Sequence, residues 1–279
     1  MACHRATQSL YQSYDIFPLA QRDVAMDEAS LRDGLQTRIL AQNLIFYEVT
    51  DSTNTRAKAI LERRTLPEGT VLVAARQTAG RGTGSHRWES ATPESLLFSL
   101  ILQTPLRLQP LSFVPAVALA RILRQRYAID AHLKWPNDVL VGDRKLAGIL
   151  CEGVSQPNLQ TAWIVGVGIN VNQHVFPEPI RDIAVSMRNM TGISYPIENV
   201  FQDYMLEMER LYHSQEDVIA AWLRYTRMIG QTIRVKQRDQ AATVKVIGLS
   251  PEGYLQVEHA DGQCETWMST THLDMDRAY

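Results

Sequence analysis

The sequence predicts an α+β fold, in which a mixed β-sheet with packed helices is followed by a small C-terminal β-barrel. Apolar runs of strand length recur between residues 43 and 168, and apolar residues at helical spacing follow at 197–211 and 214–223. After Gly230 the apolar period shortens to two, and tight turns separate short strands. These changes predict a short N-terminal segment, a large domain and a barrel, over residues 1–42, 43–228 and 229–279.

The first half of the large domain is predicted to alternate strands with helices. A helix capped by Ser52 or Thr53 runs to about Arg64, because hydroxyl side chains favour the N-cap and the apolar residues that follow share one face. Ser112 caps a longer helix with Pro115 in its first turn, where proline is tolerated. The strands are predicted at residues 43–49, 70–75 and 96–102.

The second half is predicted to contain four strands and two helices. The last helix opens at Ser214 and Asp217, and its pattern turns Trp222 and Leu223 inward. The strands fall at residues 131–134, 138–142, 146–153 and 161–168. Alternating residues then predict barrel strands at 232–236, 242–247, 254–258 and 263–267.

Composition narrows the possible functions. The net charge is −2, with 45% apolar and 21% charged residues, which is typical of a globular protein rather than a dedicated nucleic-acid binder. No apolar run is long enough to span a membrane, and the N-terminus lacks the apolar core of a signal peptide. Three scattered cysteines indicate a reducing cytoplasm, and none has metal-ligand spacing: Cys3, Cys151 and Cys264. We therefore expect a cytoplasmic protein with no metal site and no membrane partner.

Two segments do not follow these patterns. Residues 78–95 have no apolar period, three glycines and many polar groups, and such long loops are usually functional or mobile. The run Lys-Trp-Pro-Asn-Asp at 134–138 precedes Lys-Leu-Ala-Gly-Ile at 145–149, which places lysines, a carboxamide and a carboxylate around a turn. Polar groups beside buried strands usually serve a ligand, although a surface hairpin with a solvated lysine also fits this pattern.

Further segments shift the balance towards a ligand site. Asp-Ser-Thr-Asn stands at 51–54, Gln-Thr-Ala-Gly-Arg-Gly-Thr-Gly at 77–84, and Val-Gly-Val-Gly-Ile-Asn at 165–170. Together with the lysine motifs, this set and its order resemble the biotin protein ligases over roughly residues 43–273. The resemblance implies a class II synthetase-like catalytic domain and an SH3-like C-terminal barrel.

The resemblance also implies a reaction in two steps. Biotin and ATP, supplied as a Mg²⁺ complex, form biotinyl-5′-AMP, and a lysine of a biotin carboxyl carrier domain then takes the biotin. Two alternatives stay open: a lipoate or octanoate transferring enzyme of the same superfamily, and a non-catalytic biotin- or adenylate-binding regulator. DNA-binding members of the family carry a winged helix-turn-helix at their N-terminus. Because residues 1–42 look too short for that domain and have no basic cluster, we expect no DNA binding. A homodimer is possible.

Particular residues take on roles through the resemblance. Lys145 would lie between the biotin carboxylate and the α-phosphate, and Arg81 would hold an anion. Asp138 would orient the incoming amine, accept its proton or assist Mg²⁺. Biotin would contact Ser52, Thr53, Asn54, Gln77, Gly80, Arg81, Lys145, Gly166 and Gly168. The adenylate would contact Arg81, Gly82, Thr83, Trp88, Asn137, Lys145 and Asn170.

Several of these residues also have plain structural explanations. Ser52 and Thr53 suit helix capping, and Asn170 suits the end of a strand. Trp88 would either cover the adenine or anchor the loop in the core.

The glycine-rich loop departs from the family pattern at three positions. Arginine is usual where Thr83 and His86 stand, and glycine is usual where Ser85 stands. We therefore expect this loop to close less tightly over the adenylate than in arginine-rich relatives, although Arg87 could supply some of the missing charge.

Overall fold

The computed structural model describes residues 26–84, 86–89, 93–103, 108–156, 161–237, 240–268 and 273–275. Most of the predicted N-terminal segment and Ser85 of the glycine-rich loop lie outside the described residues.

A seven-stranded mixed sheet forms the centre of the large domain. In spatial order its strands are β1, β2, β3, β7, β6, β5 and β4, and only the β1–β2 pair is parallel. Every residue of β3 is buried, because β3 lies near the middle of the sheet and is covered on both faces. The strand bounds are β1 Leu44–Thr50, β2 Val71–Gln77, β3 Ser95–Leu102, β4 Ala131–Lys134, β5 Asp138–Val141, β6 Arg144–Ser155 and β7 Thr161–Asn170.

Helices cover both faces of this sheet. The bounds are α1 Glu28–Arg32, α2 Thr53–Leu61, α3 Leu108–Gln125, α4 Met187–Thr191, α5 Ile197–Tyr212 and α6 Val218–Tyr225, with a 3₁₀ turn at Glu178–Ile180. The larger hydrophobic core lies under α3 and α5, whose apolar stripes pack on the sheet. On the opposite face, Ala57 and Leu61 of α2 pack with Leu72, Ile101 and Ile164. Helix α2 therefore covers only part of its face of the sheet and leaves the rest to form a cleft.

Three details of the predicted helices are wrong. Helix α3 begins at Leu108, so Pro115 lies two turns inside it rather than in its first turn. Helix α2 ends at Leu61, before the predicted Arg64. Leu223 of α6 is 37% exposed, because only Ala221 and Trp222 of this short helix are buried. Hydrophobic periodicity correctly predicted the helices, but it did not fix their first and last residues or the burial of residues at the margin of an apolar face.

A five-stranded antiparallel sheet forms the C-terminal unit, in the order β11, β10, β9, β8 and β12. Its strands are β8 Thr232–Gln237, β9 Gln240–Leu249, β10 Leu255–His259, β11 Cys264–Trp267 and β12 Leu273–Met275, the last of which was not predicted. Apolar residues that alternate along these strands form its core, including Ile233, Val235, Val244 and Val257. The predicted α+β class with a separate C-terminal β-structure is confirmed. Among the described residues, none of the helices has the length and apolar character needed to cross a bilayer.

Candidate active site

The cleft has a floor made of three neighbouring strands. Gly148 of β6 pairs with Gly168 of β7, and Leu150 pairs with Gly166. Ser99 of β3 pairs with Gly166 from the other side. Because alternate residues of a strand share a face, these residues face the same side of the sheet as α2. Glycines in adjacent strands leave a depression where side chains would otherwise stand.

Close approach explains why glycine is needed here. A Cβ atom at position 166 would lie 2.1 Å from Asn54 Oδ1, and one at position 168 would lie 2.5 Å from Trp88 Cε2. At Gly148 the same atom would lie 3.0 Å from Lys145 Cε and 3.1 Å from the Trp88 ring. The glycines thus allow an amide, an indole and a lysine to lie directly over the strands.

Hydrogen-bonding side chains form one end of the cleft. Gln77 Oε1 accepts from the backbone N–H of Thr53 at 2.6 Å and from its hydroxyl at 3.1 Å. The Ser99 hydroxyl donates to Asn54 Oδ1 at 2.6 Å and lies 2.7 Å from Thr53 Oγ1. Ser52 occupies the N-cap position of α2, yet its side chain makes no capping hydrogen bond. This polar end is therefore organised by residues from α2, β2 and β3.

A lysine–aspartate pair marks the other end. Lys145 Nζ lies 2.5 Å from Asp138 Oδ1, and both side chains are partly exposed. The same ammonium lies 5.8 Å from the centre of the Trp88 ring, within range of a cation–π contact. Burial lowers the pKa of the neighbouring Lys134, and the positive charge of Lys145 lowers it further, whereas the negative charge of Asp138 raises it. This end presents positive charge to an anion in the cleft.

The turn that carries Asn137 is held from two sides. Asn137 Nδ2 donates to the carbonyl of Ile149 at 2.6 Å and to Thr83 Oγ1 at 2.9 Å. Trp135 is 1% exposed, and its indole N–H donates to the carbonyl of Gly253 in the C-terminal unit at 3.1 Å. The Trp135–Pro136 peptide bond is cis. The C-terminal sheet thus contacts the turn that presents Asn137 and Asp138.

Hydrogen bonds join residues 80–84 of the glycine-rich loop to residues 86–88, and we call these described residues the Gly80–Trp88 hairpin. Arg81 and Arg87 make an antiparallel bridge, and the N–H of Trp88 donates to the carbonyl of Gly80 at 3.1 Å. A Cβ atom at position 80 would lie 2.4 Å from the Trp88 carbonyl oxygen, so only glycine fits there. The Trp88 indole covers the glycine floor, and its buried Nε1 has no hydrogen-bond partner among the described residues.

Most of the predicted site residues meet in this cleft. Its lining comprises Ser52, Thr53, Asn54, Gln77, Arg81, Gly82, Thr83, Trp88, Phe98, Asn137, Lys145, Gly148, Ile149, Leu150, Gly166, Val167 and Gly168. Asp138 does not line the cleft itself but forms an ion pair with Lys145, which does. Gly80 lines a second groove, together with Asp51, Thr55 and other residues of the hairpin. Asn170 is not among these lining residues; it is buried and donates to the carbonyls of Val185 at 3.2 Å and Lys145 at 3.4 Å. Its side chain therefore holds together the backbone at Lys145 and Val185.

Sequence reasoning missed two polar residues of the site. Arg81 forms a bidentate ion pair with Glu152, with Nη2 2.9 Å from Oε1 and Nη1 3.0 Å from Oε2. Asn54 Nδ2 also donates to Oε2 of this carboxylate, at 2.8 Å. Ser99 completes the polar end. Strand alternation could have indicated both: Glu152 follows Gly148 at an even spacing in β6, and Ser99 interrupts an apolar strand.

No group of three or more metal-ligating acidic, histidine or cysteine side chains occurs in the described part of the chain.

The fold and cleft are those of ligases that attach an acid to a protein. The sequence model of the Biotin/lipoate A/B protein ligase family matches residues 46–170, and that of the Biotin protein ligase C terminal domain matches residues 228–270. The Bacillus subtilis bifunctional ligase/repressor BirA is 33% identical over 256 residues, covering 88% of this chain and 78% of the relative. The Mycobacterium tuberculosis biotin–[acetyl-CoA-carboxylase] ligase is 30% identical over 236 residues, covering 79% of this chain and 81% of the relative.

A solved structure agrees with these relatives. The Aquifex aeolicus biotin protein ligase, in complex with biotin and ATP, has a TM-score of 0.72 and 28% identity, and the match covers 85% of this chain and 100% of that one. The chain belongs to the biotin protein ligase family.

Proposed function

We propose that this protein is an ATP-dependent biotin protein ligase that uses the cleft for both of its reaction steps. In the first step, a biotin carboxylate oxygen attacks the α-phosphorus of ATP, which gives biotinyl-5′-AMP and pyrophosphate. In the second, a lysine amine of a carrier domain attacks the mixed anhydride, forms an amide and releases AMP. The names of the relatives and the biotin and ATP in the Aquifex aeolicus structure support these substrates.

One observation carries the proposal: a single cleft joins a neutral hydrogen-bonding end to a cationic end. The ureido ring of biotin has N–H donors and a carbonyl acceptor, and buried groups of this kind need matched partners. Thr53, Asn54 and Gln77 offer such partners, and the glycine floor admits the flat ring. The biotin carboxylate then extends towards Lys145, where ATP meets it.

Lys145 supplies the charge for adenylation. Two anions must approach each other in the first step, and a positive charge between them lowers the barrier as charge builds at the α-phosphorus. The Lys145 ammonium lies 2.5 Å from Asp138, and the flexible stem of a lysine allows it to exchange that carboxylate for a substrate oxygen. Asn137, anchored to the backbone of Ile149, would orient a phosphate or ribose oxygen.

Asp138 suits the transfer step. Once Lys145 contacts the adenylate, the carboxylate of Asp138 is available to orient the incoming amine and accept its proton. Mg²⁺ would enter with ATP as part of the substrate complex.

The acceptor is proposed to be the carrier domain of a biotin-dependent carboxylase, as the name of the Mycobacterium relative suggests. We also propose a cytoplasmic protein, because Cys151 and Cys264 are both free thiols. Absence of DNA binding and possible homodimer formation stay predictions from the sequence.

An intact-mass assay tests the function. The purified protein, ATP, Mg²⁺ and a biotin carrier domain are mixed with biotin or with lipoate, and the carrier is weighed. We expect a mass gain with biotin alone, whereas a gain with lipoate alone would contradict the choice of acid. The Lys145→Ala variant serves as a matched control: it should keep its unfolding midpoint and lose adenylate formation by at least ~100-fold. A near-normal rate would remove this lysine from the mechanism.

A further inference from the structure

We infer that Lys134 is a positioning residue that holds the Asp138 carboxylate ionised and in place while Lys145 is engaged with the substrate anions. The inference rests on the proposed function of the cleft, in which Lys145 exchanges Asp138 for a substrate oxygen. Lys134 of β4 pairs directly with Asp138 of β5, so both side chains project from the same face of the sheet, with their Cβ atoms about 5 Å apart. Asp138 therefore has a lysine on the preceding strand as well as the lysine that follows it in the chain.

A β-bulge in β6 brings Lys145 to the other side of the same carboxylate. The register of the β5–β6 pair shifts by one residue at Leu140, which pairs with Lys145. Leu146 and Ala147 consequently both belong to the larger hydrophobic core, although neighbours in a regular strand face opposite sides. Lys145 thereby returns to the face of the cleft, where its ammonium lies 2.5 Å from Asp138 Oδ1. The sheet thus places Asp138 between two lysines on one face.

These charges act on one another across the face of the sheet. Burial lowers the pKa of Lys134, while the negative charge of Asp138 raises it and the positive charge of Lys145 lowers it. The Asp138 side chain is 24% exposed, so water screens these interactions less than it would at an open surface. His132 lies on this face two residues before Lys134, but burial lowers its pKa to about 4 and it is neutral near pH 7. These four side chains therefore supply two positive charges and one negative charge.

The backbone on both sides of Lys134 is held by contacts with later parts of the chain. The carbonyl of Leu133 accepts a hydrogen bond from Thr226 Oγ1 at 2.8 Å. Trp135 is buried, and its indole N–H donates to the carbonyl of Gly253 at 3.1 Å. The base of the Lys134 side chain therefore keeps its place beside β5 when the flexible ammonium of Lys145 moves to a substrate.

The second lysine matters in the transfer step. The amine nitrogen of the carrier lysine bonds to the acyl carbon of biotinyl-5′-AMP, the bond from that carbon to the phosphate oxygen breaks, and a proton of the amine passes to Asp138. Asp138 accepts this proton only while it is ionised. With Lys145 drawn to the adenylate, the negative phosphate favours the protonated form of the carboxylate. The positive charge of Lys134 opposes that effect and keeps the carboxylate ionised.

The pH dependence of the transfer step tests the inference. Preformed biotinyl-5′-AMP and a biotin carrier domain are mixed with the protein in a single turnover, and the labelled carrier is measured by mass from about pH 5.5 to about pH 9. The variant Lys134→Met keeps the length of the side chain and removes its charge. We expect it to shift the acid limb of the rate by about one pH unit upwards, which makes transfer about tenfold slower at the acid end and leaves it equal at the alkaline end. An unshifted acid limb would overturn the inference.

Control variants separate the charge of Lys134 from its packing and from substrate binding. Lys134→Arg keeps the positive charge and should retain the wild-type profile, whereas the same shift in both variants would refute a role for the charge. Lys58→Met removes an exposed lysine from α2 and should leave the profile unchanged. Adenylate formation from biotin and ATP should stay within about twofold of the wild type in Lys134→Met. A loss of that rate at every pH would mean that Lys134 binds ATP itself, and would also overturn the inference.

A titration without substrates separates this inference from the proposed function. Lys145→Met imitates the withdrawal of Lys145 from Asp138, and the Asp138 carboxyl group is followed by carbon NMR. Removing the charge of Lys134 as well should raise the pH at which this carboxyl group takes up its proton by about one unit relative to Lys145→Met alone. Equal titration of the single and double variants would contradict only this inference. A protein that shows the difference yet fails to label carriers would contradict only the proposed function.

Discussion

Replacing Gly166 by alanine should damage the polar end of the cleft, because the added methyl group would collide with Asn54. The new Cβ atom would stand 2.1 Å from Asn54 Oδ1, 2.8 Å from its Cγ and 2.9 Å from its Nδ2. These neighbours belong to a side chain that is 3% exposed and lies against β7, so Asn54 must move by more than 1 Å to reach an ordinary contact distance of roughly 3.4 Å.

The cost follows from the hydrogen bonds that Asn54 would lose. It donates to Glu152 and to the carbonyl of Leu150, and it accepts from Ser99. At about 1 kcal/mol each, these three bonds amount to about 3 kcal/mol. The lower entropy of alanine in the unfolded chain returns about 0.5–1 kcal/mol, which leaves a net loss of about 2 kcal/mol.

Urea denaturation and biotin titration together measure this effect. We expect Gly166→Ala to lower the free energy of unfolding by about 2 kcal/mol and to weaken biotin binding by at least ~10-fold. Gly248→Ala is the matched control, since this glycine also lies in a strand and its Cβ atom would meet only Gln256 Oε1, at 3.5 Å. That control should be neutral or slightly stabilising. If both variants behaved alike in stability and in biotin affinity, the argument from close approach would be refuted.

Three further predictions concern the turn, a buried histidine and the hairpin. Trp135→Phe removes the donor to the carbonyl of Gly253, so it should lower the free energy of unfolding by about 1–2 kcal/mol and lower kcat. Chemical denaturation and an adenylate-formation assay would measure these two effects. Full activity would contradict a role for the C-terminal sheet in placing Asn137. Burial lowers the pKa of His132 to about 4, and the charge of Arg227 acts in the same direction. As pH falls, the unfolded chain therefore binds a proton at this histidine before the folded chain does. The free energy of unfolding should fall by at most ~3 kcal/mol between pH 6.5 and pH 4. His132→Phe should flatten that part of the stability–pH curve, and an unchanged curve would exclude this histidine as its cause. Thr83→Arg should slow dissociation of biotinyl-5′-AMP by about three- to tenfold in a chase assay, because the positive charge that it restores to the hairpin outweighs the lost hydrogen bond from Asn137. An unchanged or faster rate would contradict looser closure in this protein.

Much of the fold could be predicted because hydrophobic periodicity is a local property. The predicted strands from β1 to β7 agree with the structure to within a few residues, and the change of period after Gly230 correctly indicated a second β-structure. Errors concentrated at helix ends, as with Pro115 inside α3, where capping signals compete over neighbouring turns. The short strand β12 was missed because three residues carry too little pattern to detect.

The sequence by itself determined the chemistry available to the site. It showed a lysine, a carboxamide and a carboxylate around one turn, a glycine-rich loop with Arg81, and paired glycines at 166 and 168. These features depend only on residue type and spacing, and together with the resemblance they indicated an acid-activating ligase.

Only the tertiary structure decided which of those groups meet. It bonded Asn170 to the carbonyls of Lys145 and Val185 and added Ser99 from a neighbouring strand to the polar end. It also joined Glu152 to Arg81, 71 residues earlier in the chain. Strand order and register set such contacts, and they depend on how distant segments pair rather than on any local pattern. The physical reason is that the contacts of a side chain depend on the face of the sheet on which it lies and on the strands that lie beside it.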